Sequence, residues 1–280
     1  MIISSEIMNT SSTIQPSNKK YLSSILAANS RLGNHLFELS SLYGLAKKLG
    51  RIPTFFIQDQ QHKQMLKDVE EVMPGLTKQY FVVNESSWKY FPRMRTKLMS
   101  FLKTHPSDFL NLPRSDEKSK VICVHIRRTD FAGTGFHMAE DDFIMNSIKF
   151  LETEEQQNGN LSTVLFGDDF LFMEGLINQT MGSKMTFNSS WFISRNTPSD
   201  DILYARHHCD VVFITSPHST FGWWMGFLSK GNQVYYNDIR YTDDQSLAAG
   251  NFQPDDYFPP YWTPIKYNNS NDTTVVESLK

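Results

Sequence analysis

The chain has 280 residues, 40% of which are hydrophobic, and its formal net charge is −3. This length and composition suffice for one large domain or two small ones with proper cores. The near-neutral charge argues against a dedicated nucleic-acid-binding protein, which usually carries a strong basic excess. No run of about 18 or more apolar residues is present, so we predict no membrane span.

The signals of cellular compartment conflict. The polar N-terminus contains Glu6 and does not resemble a signal peptide. Seven Asn-X-Ser/Thr sequons favour a secretory protein, and they lie at Asn9, Asn84, Asn160, Asn178, Asn188, Asn268 and Asn271. Either the protein is cytosolic or this chain lacks its native N-terminal anchor.

The sequence contains only two cysteines. Cys123 lies inside an apolar run, and Cys209 lies at the end of a predicted helix. We predict that both are buried free thiols. Two cysteines exclude a disulfide framework and a Cys-rich zinc site.

The first half of the chain predicts a βαβ unit after a disordered segment, residues 1–19. Residues 21–28 are predicted to form a strand, 30–35 a glycine-containing loop, 36–50 a helix ending at Gly50, and 52–57 a second strand. Such a unit implies parallel strands and a right-handed crossover. Residues 59–118 are less regular, with helical fragments around 65–73 and 90–103.

The second half alternates strands and helices more regularly. Strands are predicted at 121–126, 162–167, 189–194, 210–216 and 232–237, and helices at about 141–151, 170–178, 199–209 and 219–231. Ser199 is the predicted N-cap of the third of these helices, followed by Asp200 and Asp201. The tail, residues 268–280, is predicted to be flexible. We therefore predict an α/β protein with two Rossmann-like lobes, at 20–118 and 119–267.

Ligands of such sheets bind at the carboxyl ends of the strands, which singles out the loops 28–35, 125–137 and 215–221. In the second of these, here called the arginine loop (125–137), alternation places His125 and Arg127 on one strand face, and Arg128 begins the turn. An arginine side chain presents a planar fork of donors that suits phosphate oxygens. Asp130 can accept from the backbone or from Arg128 and hold the turn. The alternative is a surface ion pair between Arg128 and Asp130.

The other two loops offer weaker signals. Ser219 and Thr220 begin a helix, where free N–H groups and the helix dipole favour an anion. The alternative is an ordinary serine N-cap. The first loop offers Arg31, Gly33 and Asn34 but has neither a G-x-G-x-x-G nor a Walker motif.

Metal-binding and nucleophilic motifs are weak or missing. Asp168 and Asp169 follow a strand and can hold a metal, although such a pair is more often a helix N-cap. His207 and His208 face different directions on a helix, which disfavours joint ligation. No Ser/His/Asp or Cys/His arrangement stands out.

Four segments carry a family resemblance. The stretch SRLGNHLFELSSLYGLAKKLG (30–50) resembles the GRLGNQ opening of the α-1,2-fucosyltransferases, glycosyltransferase family 11. VHIRRTDF (124–131) resembles the family's VHVRRGDY, an H-x-R-R-x-D motif. Residues 199–237 resemble its segment with the T-F-G-x-W motif, and YFPPYWTPI (257–265) resembles its closing FLPEWVGI. The matches cover most of residues 22–265 in order, and the chain resembles a divergent, invertebrate-type member.

The resemblance implies a GT-B fold and an inverting transfer of L-fucose from GDP-fucose to a glycan hydroxyl, which we expect to be O2 of a β-galactoside. It implies no cofactor and no obligatory metal, and residence in the Golgi lumen or membrane through an anchor not visible in this chain. Arg127 would neutralise the β-phosphate as GDP leaves, and His125 would meet the guanosine. Asp201 would hold the guanine. The implied catalytic residues are Arg127, His125 and Arg128, and the implied donor-binding residues are Arg31, Gly33, Asn34, Asp130, Asp201, Ser219, Thr220 and Phe221.

The sequence departs from the family pattern in three places. Ser30 replaces a glycine, and His35 replaces a glutamine. The stretch after Asp130, FAGTGFH (131–137), also lacks the carboxylate that related α-1,6 enzymes keep as a base, so the base stays open among His137, Glu140 and Asp141. The runner-up interpretation is a catalytically weakened GDP-sugar-binding or lectin-like member. A third is an α/β protein of another class, such as a nucleotide hydrolase, which no Walker or metal motif favours.

Overall fold

The computed structural model describes residues 20–23, 32–57, 60–84, 95–102, 108–155, 159–182, 185–250, 252–269 and 272–278. These residues form a mixed α/β protein with two sheets, in which all strand pairs but one are parallel. Contacts between Cα atoms divide the chain into two units, Met1–Glu85 and Ser86–Lys280. The predicted disordered segment 1–19 lies outside the described residues. So does most of the predicted strand after residue 23.

The first unit is built around a three-stranded parallel sheet in the order β1-β2-β3. Its elements are β1 (Tyr21–Leu22), α1 (Leu32–Lys48), β2 (Ile52–Ile57), α2 (Gln60–Val72), α3 (Pro74–Thr77) and β3 (Phe81–Asn84). Parallel pairing of β1 with β2 around α1 confirms the predicted βαβ unit. Gly50, with a φ of 61°, ends the helical segment as predicted, because a left-handed conformation suits glycine.

The predicted loop at 30–35 was wrong from residue 32 onward, because α1 already begins at Leu32. Leu32, Leu36 and Leu39 follow helical spacing. The sequence interpretation began the helix only at Leu36, because it assigned Gly33 to a loop. Glycine keeps its backbone N–H and breaks no helical hydrogen bond, so its cost at position 33 is only the conformational entropy of one residue. Gly33 and Asn34 therefore lie in the first helical turn, and Arg31 lies outside the described residues.

The second unit contains a seven-stranded sheet in the order β10-β9-β8-β7-β4-β5-β6. Its strands are β4 (Ser119–Ile126), β5 (Asn160–Gly167), β6 (Ser190–Ile193), β7 (Val211–Ile214), β8 (Gln233–Asn237), β9 (Thr263–Tyr267) and β10 (Val275–Glu277). Its helices are α4 (Arg95–Met99), α5 (Asp141–Glu154), α6 (Phe170–Gly182), α7 (Pro198–His208), α8 (Thr220–Leu228), α9 (Gln245–Ala248) and α10 (Pro254–Tyr257), with 3-10 turns at Phe109–Asn111 and Ile239–Tyr241.

Both faces of this sheet are covered, which explains the nearly continuous apolar runs of its central strands. One apolar cluster packs α5 and α6 against one face, and the other packs α7 and α8 against the opposite face. All four residues of β7 are buried. Among the described residues, we find no helix with both the length and the hydrophobicity that a membrane span requires.

Two local predictions for this unit were wrong. Helix α7 has its N-cap at Thr197, whose Oγ1 accepts from Asp200 N at 3.3 Å, because Pro198 takes the first helical position and needs no N–H partner there. Ser199 is therefore not the cap. The tail is not wholly flexible either, because β10 pairs antiparallel with β9 and buries Val275.

The prediction of two free thiols was also wrong. Cys123 on β4 and Cys209, directly after α7, form a disulfide with a Cα–Cα distance of 5.6 Å. Both residues are fully buried, as predicted. Their 86-residue separation gave no local sign of pairing. Only the packing of α7 against β4 brings the two sulfurs together.

Candidate active site

The strand order of the seven-stranded sheet reverses at β4. The chain runs from β4 through β5 to β6 on one side, and then returns to add β7 and β8 on the other side. Such a reversal opens a crevice at the carboxyl ends of the two strands that flank it, where ligands of α/β sheets bind. The flanking strands are β4 and β7, so the arginine loop and the 215–221 loop border this crevice.

Arg127 is the first residue after β4, and two carboxylates hold it. Its Nε and Nη2 atoms each lie 2.6 Å from a carboxylate oxygen of Asp130, and Nε lies 3.4 Å from Asp168 Oδ2. The hydrogen bonds from Arg127 lower the pKa of Asp130. The predicted pairing of Asp130 with Arg128 was therefore wrong, because the turn brings the first guanidinium to this carboxylate.

Arg128 is turned away from Asp130. Its Nη1 donates to the Ala139 carbonyl at 3.0 Å, and its guanidinium carbon lies 3.9 Å from the centre of the Phe172 ring. The side chain thus connects the start of the arginine loop to its end and to α6. Such stacking is a favourable use of a guanidinium.

Asp168 organises the backbone of the arginine loop. Its carboxylate accepts from Arg128 N at 2.9 Å, from Thr129 N at 3.2 Å and from the Thr129 hydroxyl. Burial by itself would raise the pKa of Asp168, but hydrogen bonds from Thr129 and Arg128 outweigh it and lower the pKa. Asp169 accepts from Phe172 N at 3.0 Å and so caps α6. The described residues contain no group of three or more His, Cys, Asp or Glu side chains that could hold a metal.

His125 lies deep between β4 and α8, with 1% of its surface exposed. Its Nε2 lies 3.3 Å from Ser219 Oγ, and Nδ1 has no hydrogen-bond partner in the part of the chain that the structure describes. Burial, and secondarily the charge of Arg127, lower the pKa of His125 to about 4. A Cβ atom on Gly222 would lie only 2.6 Å from Nδ1. The absence of a side chain at Gly222 therefore allows α8 to pack closely against the His125 ring. His125 is therefore a neutral imidazole that sets the start of α8 against the arginine loop.

The start of α8 faces the same crevice. Ser219 is its N-cap and accepts from Gly222 N at 3.3 Å. Thr220 is exposed, and the half-buried Phe221 ring lies 5.7 Å from the His125 ring. The N–H groups of Thr220 and Phe221 belong to the first turn, where no intrahelical acceptor exists. This leaves donors and the positive end of the helix dipole available for an anion.

The two loops are also linked directly. Arg127 N donates to Ser216 Oγ at 3.4 Å, and the Ser216 hydroxyl donates to the Arg127 carbonyl at 3.0 Å. The structure therefore places Arg127 beside the β7–α8 loop that ends at Ser219. This arrangement combines a fixed guanidinium with a helix N-terminus, which is a suitable site for phosphates.

Asp201 lies on α7, close to the carboxyl end of β6. The Ser194 hydroxyl, just after β6, donates to Asp201 Oδ1 at 2.5 Å. Burial raises the pKa of Asp201 to about 6, although the hydrogen bond from Ser194 opposes this rise. Strand β6 lies two strands from β4, roughly 10 Å along the sheet edge. Asp201 is thus separated from the arginines but borders the same edge.

The structure also shows a pair of residues that the sequence interpretation missed. His218, directly before Ser219, has its Nε2 atom 3.1 Å from Asp244 Oδ1. Asp244 follows β8 by several residues, so only the folded sheet edge brings the pair together. The one available signal was the position of a histidine next to the predicted helix start.

The three candidate bases differ in their contacts. His137 Nδ1 lies 2.6 Å from Asp243 Oδ1, and Asp141 Oδ2 accepts from Gln179 Nε2 at 2.8 Å. Glu140 is the exposed N-cap of α5 and borders a cavity of about 460 Å³ together with His137. These contacts do not single out one of them as a base.

Comparison with known proteins shows which family this chain resembles. The model of the family described as glycosyl transferase family 11 matches residues 87–266. The chain is 41% identical to the Caenorhabditis elegans protein named "Putative galactoside 2-alpha-L-fucosyltransferase svh-11", across 92% of this chain and 83% of that protein. It is 26% identical to a C. elegans protein named galactoside 2-alpha-L-fucosyltransferase, across 90% of this chain and 79% of the relative. No solved structure matches. These matches confirm the family resemblance, and the chain belongs to glycosyl transferase family 11.

Proposed function

We propose that the protein is a fucosyltransferase that moves L-fucose from GDP-fucose to a glycan hydroxyl, with galactose O2 of a β-galactoside as the expected position. The observation that carries this proposal is the pairing of Arg127 with the start of α8 at the strand-order reversal. Two relatives are named as fucosyltransferases, which supports fucose as the transferred sugar. A guanidinium beside a helix N-terminus suits phosphate oxygens, which a nucleoside diphosphate supplies.

In this proposal the protein stabilises the departing GDP. Negative charge grows on the β-phosphate as the glycosidic bond breaks, and Arg127 offsets it. Asp130 and Asp168 fix the Arg127 guanidinium before the reaction, and no acceptor among the described residues takes its Nη1. A charge that is already in position needs no reorganisation during the reaction, which is the main source of electrostatic catalysis. The N–H groups of Thr220 and Phe221 would bind the second phosphate.

The guanine end of the donor is assigned to Asp201. An ionised carboxylate can accept together from N1–H and the exocyclic amino group of guanine, which adenine and uracil do not offer in that pattern. Asp201 is close to the carboxyl end of β6, away from the proposed phosphate site along the same edge. Buried His125 supports the start of α8 and would meet the nucleotide only across Ser219 and Gly222.

The wider proposal is a GT-B enzyme without an obligatory metal or cofactor. Residues 119–267 would form the donor-binding lobe, and residues 20–118 would form the acceptor-side lobe. We propose the Golgi lumen as its place of action, with membrane association through an anchor outside the described residues. The covalently linked cysteines support a secretory location, because disulfides persist in oxidising compartments.

A GDP-release assay tests the proposed function. GDP-fucose is supplied with and without a panel of β-galactosides, and the product linkage is determined by glycosidase digestion. Acceptor-dependent GDP release and a product sensitive to an α-1,2-fucosidase are expected. GDP-fucose binding without turnover would favour the weakened or lectin-like alternative, and acceptor-independent release would favour a hydrolase. The same assay is run on the Arg127→Ala variant. Its matched control is Arg206→Ala, which removes an arginine from the last turn of α7.

A further inference from the structure

A cavity of about 460 Å³ lies at the carboxyl ends of β8 and β9. Among the residues that line it are Asn237 at the end of β8, Tyr241 in the following 3-10 turn, and Lys266 and Tyr267 at the end of β9. Its volume falls within the range of about 300–1,000 Å³ that is typical of small-molecule sites. Because β7, β8 and β9 are parallel neighbours, the cavity lies on the same sheet edge as the proposed phosphate site.

The arginine loop connects the cavity with the proposed phosphate site. The loop begins at the carboxyl end of β4, and its last residue, His137, lines the cavity. Two hydrogen bonds fix this end of the loop to the segment after β8. Gln245 N donates to the Gly135 carbonyl, and His137 N donates to Asp244 Oδ2, both at 2.9 Å. A ligand in the cavity would therefore contact the loop that also carries the phosphate-binding guanidinium.

Two charged side chains in the cavity wall are not used by the fold. Glu140 is the N-cap residue of α5, but its carboxylate makes no capping hydrogen bond. Lys266 Nζ lies 3.6 Å from the centre of the Tyr241 ring. Neither charge has an ion-pair partner within the described ranges. An ammonium group only donates and an ionised carboxylate only accepts, so the wall offers both functions. One positive and one negative group together favour a ligand without net charge.

Two carboxamides add acceptors to this wall. Asn237 Nδ2 donates to the Thr215 carbonyl at 3.4 Å, and Asn268 Nδ2 donates to Asp272 Oδ2 at 3.3 Å. Each amide therefore keeps its own oxygen as an acceptor for a ligand. A hydroxyl group donates one hydrogen bond and accepts others, so it can use an amide oxygen and an ammonium group at once. The polar part of the wall thus suits a ligand with several hydroxyl groups.

Aromatic rings supply the apolar part of the wall. The Tyr267 ring is held edge-to-face against Phe143, which also lines the cavity, with centroids 5.0 Å apart and planes at 85°. The Tyr241 side chain is mostly exposed. Such rings offer flat apolar surfaces at a small loss of conformational freedom. A hexose has hydroxyl groups around its ring and C–H groups on its faces, and this combination matches the wall.

The position of the cavity favours the acceptor glycan as the source of the hexose. In the proposed function the nucleotide extends from the phosphate site towards Asp201 near β6, on one side of β4. Strands β8 and β9 lie on the other side, so the sugar end of the donor is directed towards the cavity. His137 and Glu140, two of the three candidate bases, line the cavity. A base must lie within hydrogen-bond reach of the hydroxyl that it deprotonates, which is an acceptor group.

We propose that this cavity binds a neutral hexose of the acceptor glycan. The amide oxygens and Lys266 bind its hydroxyl groups, and Tyr241 packs against its C–H groups. This inference rests on the proposed function. It gives the second unit a part in acceptor binding that the proposed division into lobes leaves to residues 20–118.

Two variants test the cavity. Tyr241→Ala removes part of its wall, and Asn269→Trp places a large ring at its rim. Both positions are exposed, so the urea midpoint should be retained. Tyr261→Ala is the matched control, because this tyrosine is 52% exposed, compared with 61% for Tyr241, and does not line the cavity. Initial rates give separate KM values for methyl β-galactoside and GDP-fucose. Saturation-transfer NMR detects binding of methyl β-galactoside without turnover.

In both cavity variants the KM for methyl β-galactoside should rise about tenfold, and its NMR signal should weaken in parallel. The KM for GDP-fucose should stay unchanged, as should all values for Tyr261→Ala. An unchanged galactoside KM in both folded variants overturns the inference. A rise in the KM for GDP-fucose alone also overturns it, because the cavity would then hold the fucose of the donor.

Failure of the proposed function gives a different result. If the unmodified protein transfers no fucose, the proposed function fails. Binding of methyl β-galactoside that both cavity variants abolish would then still support a hexose site in the cavity. Absence of binding in the unmodified protein overturns the inference as well.

Discussion

Reduction of the Cys123–Cys209 disulfide should strongly destabilise the second unit. The two cysteines are 86 residues apart, and both are fully buried. Closing a loop of that length in the unfolded chain corresponds to about 4.6 kcal/mol at 25 °C in the chain-entropy description. Typical domains have about 5–15 kcal/mol of total stability, so the loss is a large fraction of it.

The measurement is urea unfolding followed by tryptophan fluorescence. All five tryptophans lie at position 88 or later, so the signal reports on the second unit. With a urea slope of about 2 kcal/mol per molar, the midpoint of the reduced protein should fall by roughly 2 M. The protein is reduced in denaturant and refolded, because the buried bond is inaccessible to reductant in the native state. Equal midpoints, or two titratable thiols in unreduced denatured protein, would refute the reasoning.

The remaining predictions concern the donor site. Arg127→Ala should lower kcat/KM about 10²–10³-fold, because its guanidinium stabilises the leaving group. The unfolding midpoint should be retained, because the Arg127 side chain is 34% exposed. Near-normal turnover would remove the central claim. Thermal shifts should be larger with GDP than with ADP or UDP, and GDP affinity should fall as the pH drops through about 6, because Asp201 then loses its charge. Equal shifts with the three nucleotides would contradict the guanine assignment. Activity should persist in excess chelator, and complete loss that manganese restores would show that Asp168 and Asp169 bind an essential metal.

Local patterns predicted much of the second unit. The apolar run that ends at Ile126 predicted β4, and the Ser-Thr pair at 219 and 220 predicted the start of α8. These signals succeed because strand alternation and helix capping are properties of neighbouring residues. The three loops chosen from them include the two that flank the strand-order reversal.

Contacts between distant segments could not be predicted in this way. The Cys123–Cys209 bond depends on how α7 packs on β4. The His218–Asp244 pair depends on how the loop between β7 and α8 meets the segment after β8. The choice between Arg127 and Arg128 as the partner of Asp130 depends on backbone torsions within one turn. A single sequence contains no direct signal for any of these.

The approach of α8 to His125 implies a constraint on how the family diverges. A Cβ atom at Gly222 would lie 2.6 Å from His125 Nδ1 and 3.1 Å from Ile214 Cγ2. The ring cannot move aside, because it is fully enclosed and lies against Ser219. A larger residue at 222 is therefore tolerated only after position 125 has lost its ring. Across homologous sequences we expect these two positions to change together, so that the H-x-R-R and T-F-G motifs are inherited as one unit despite their distance along the chain.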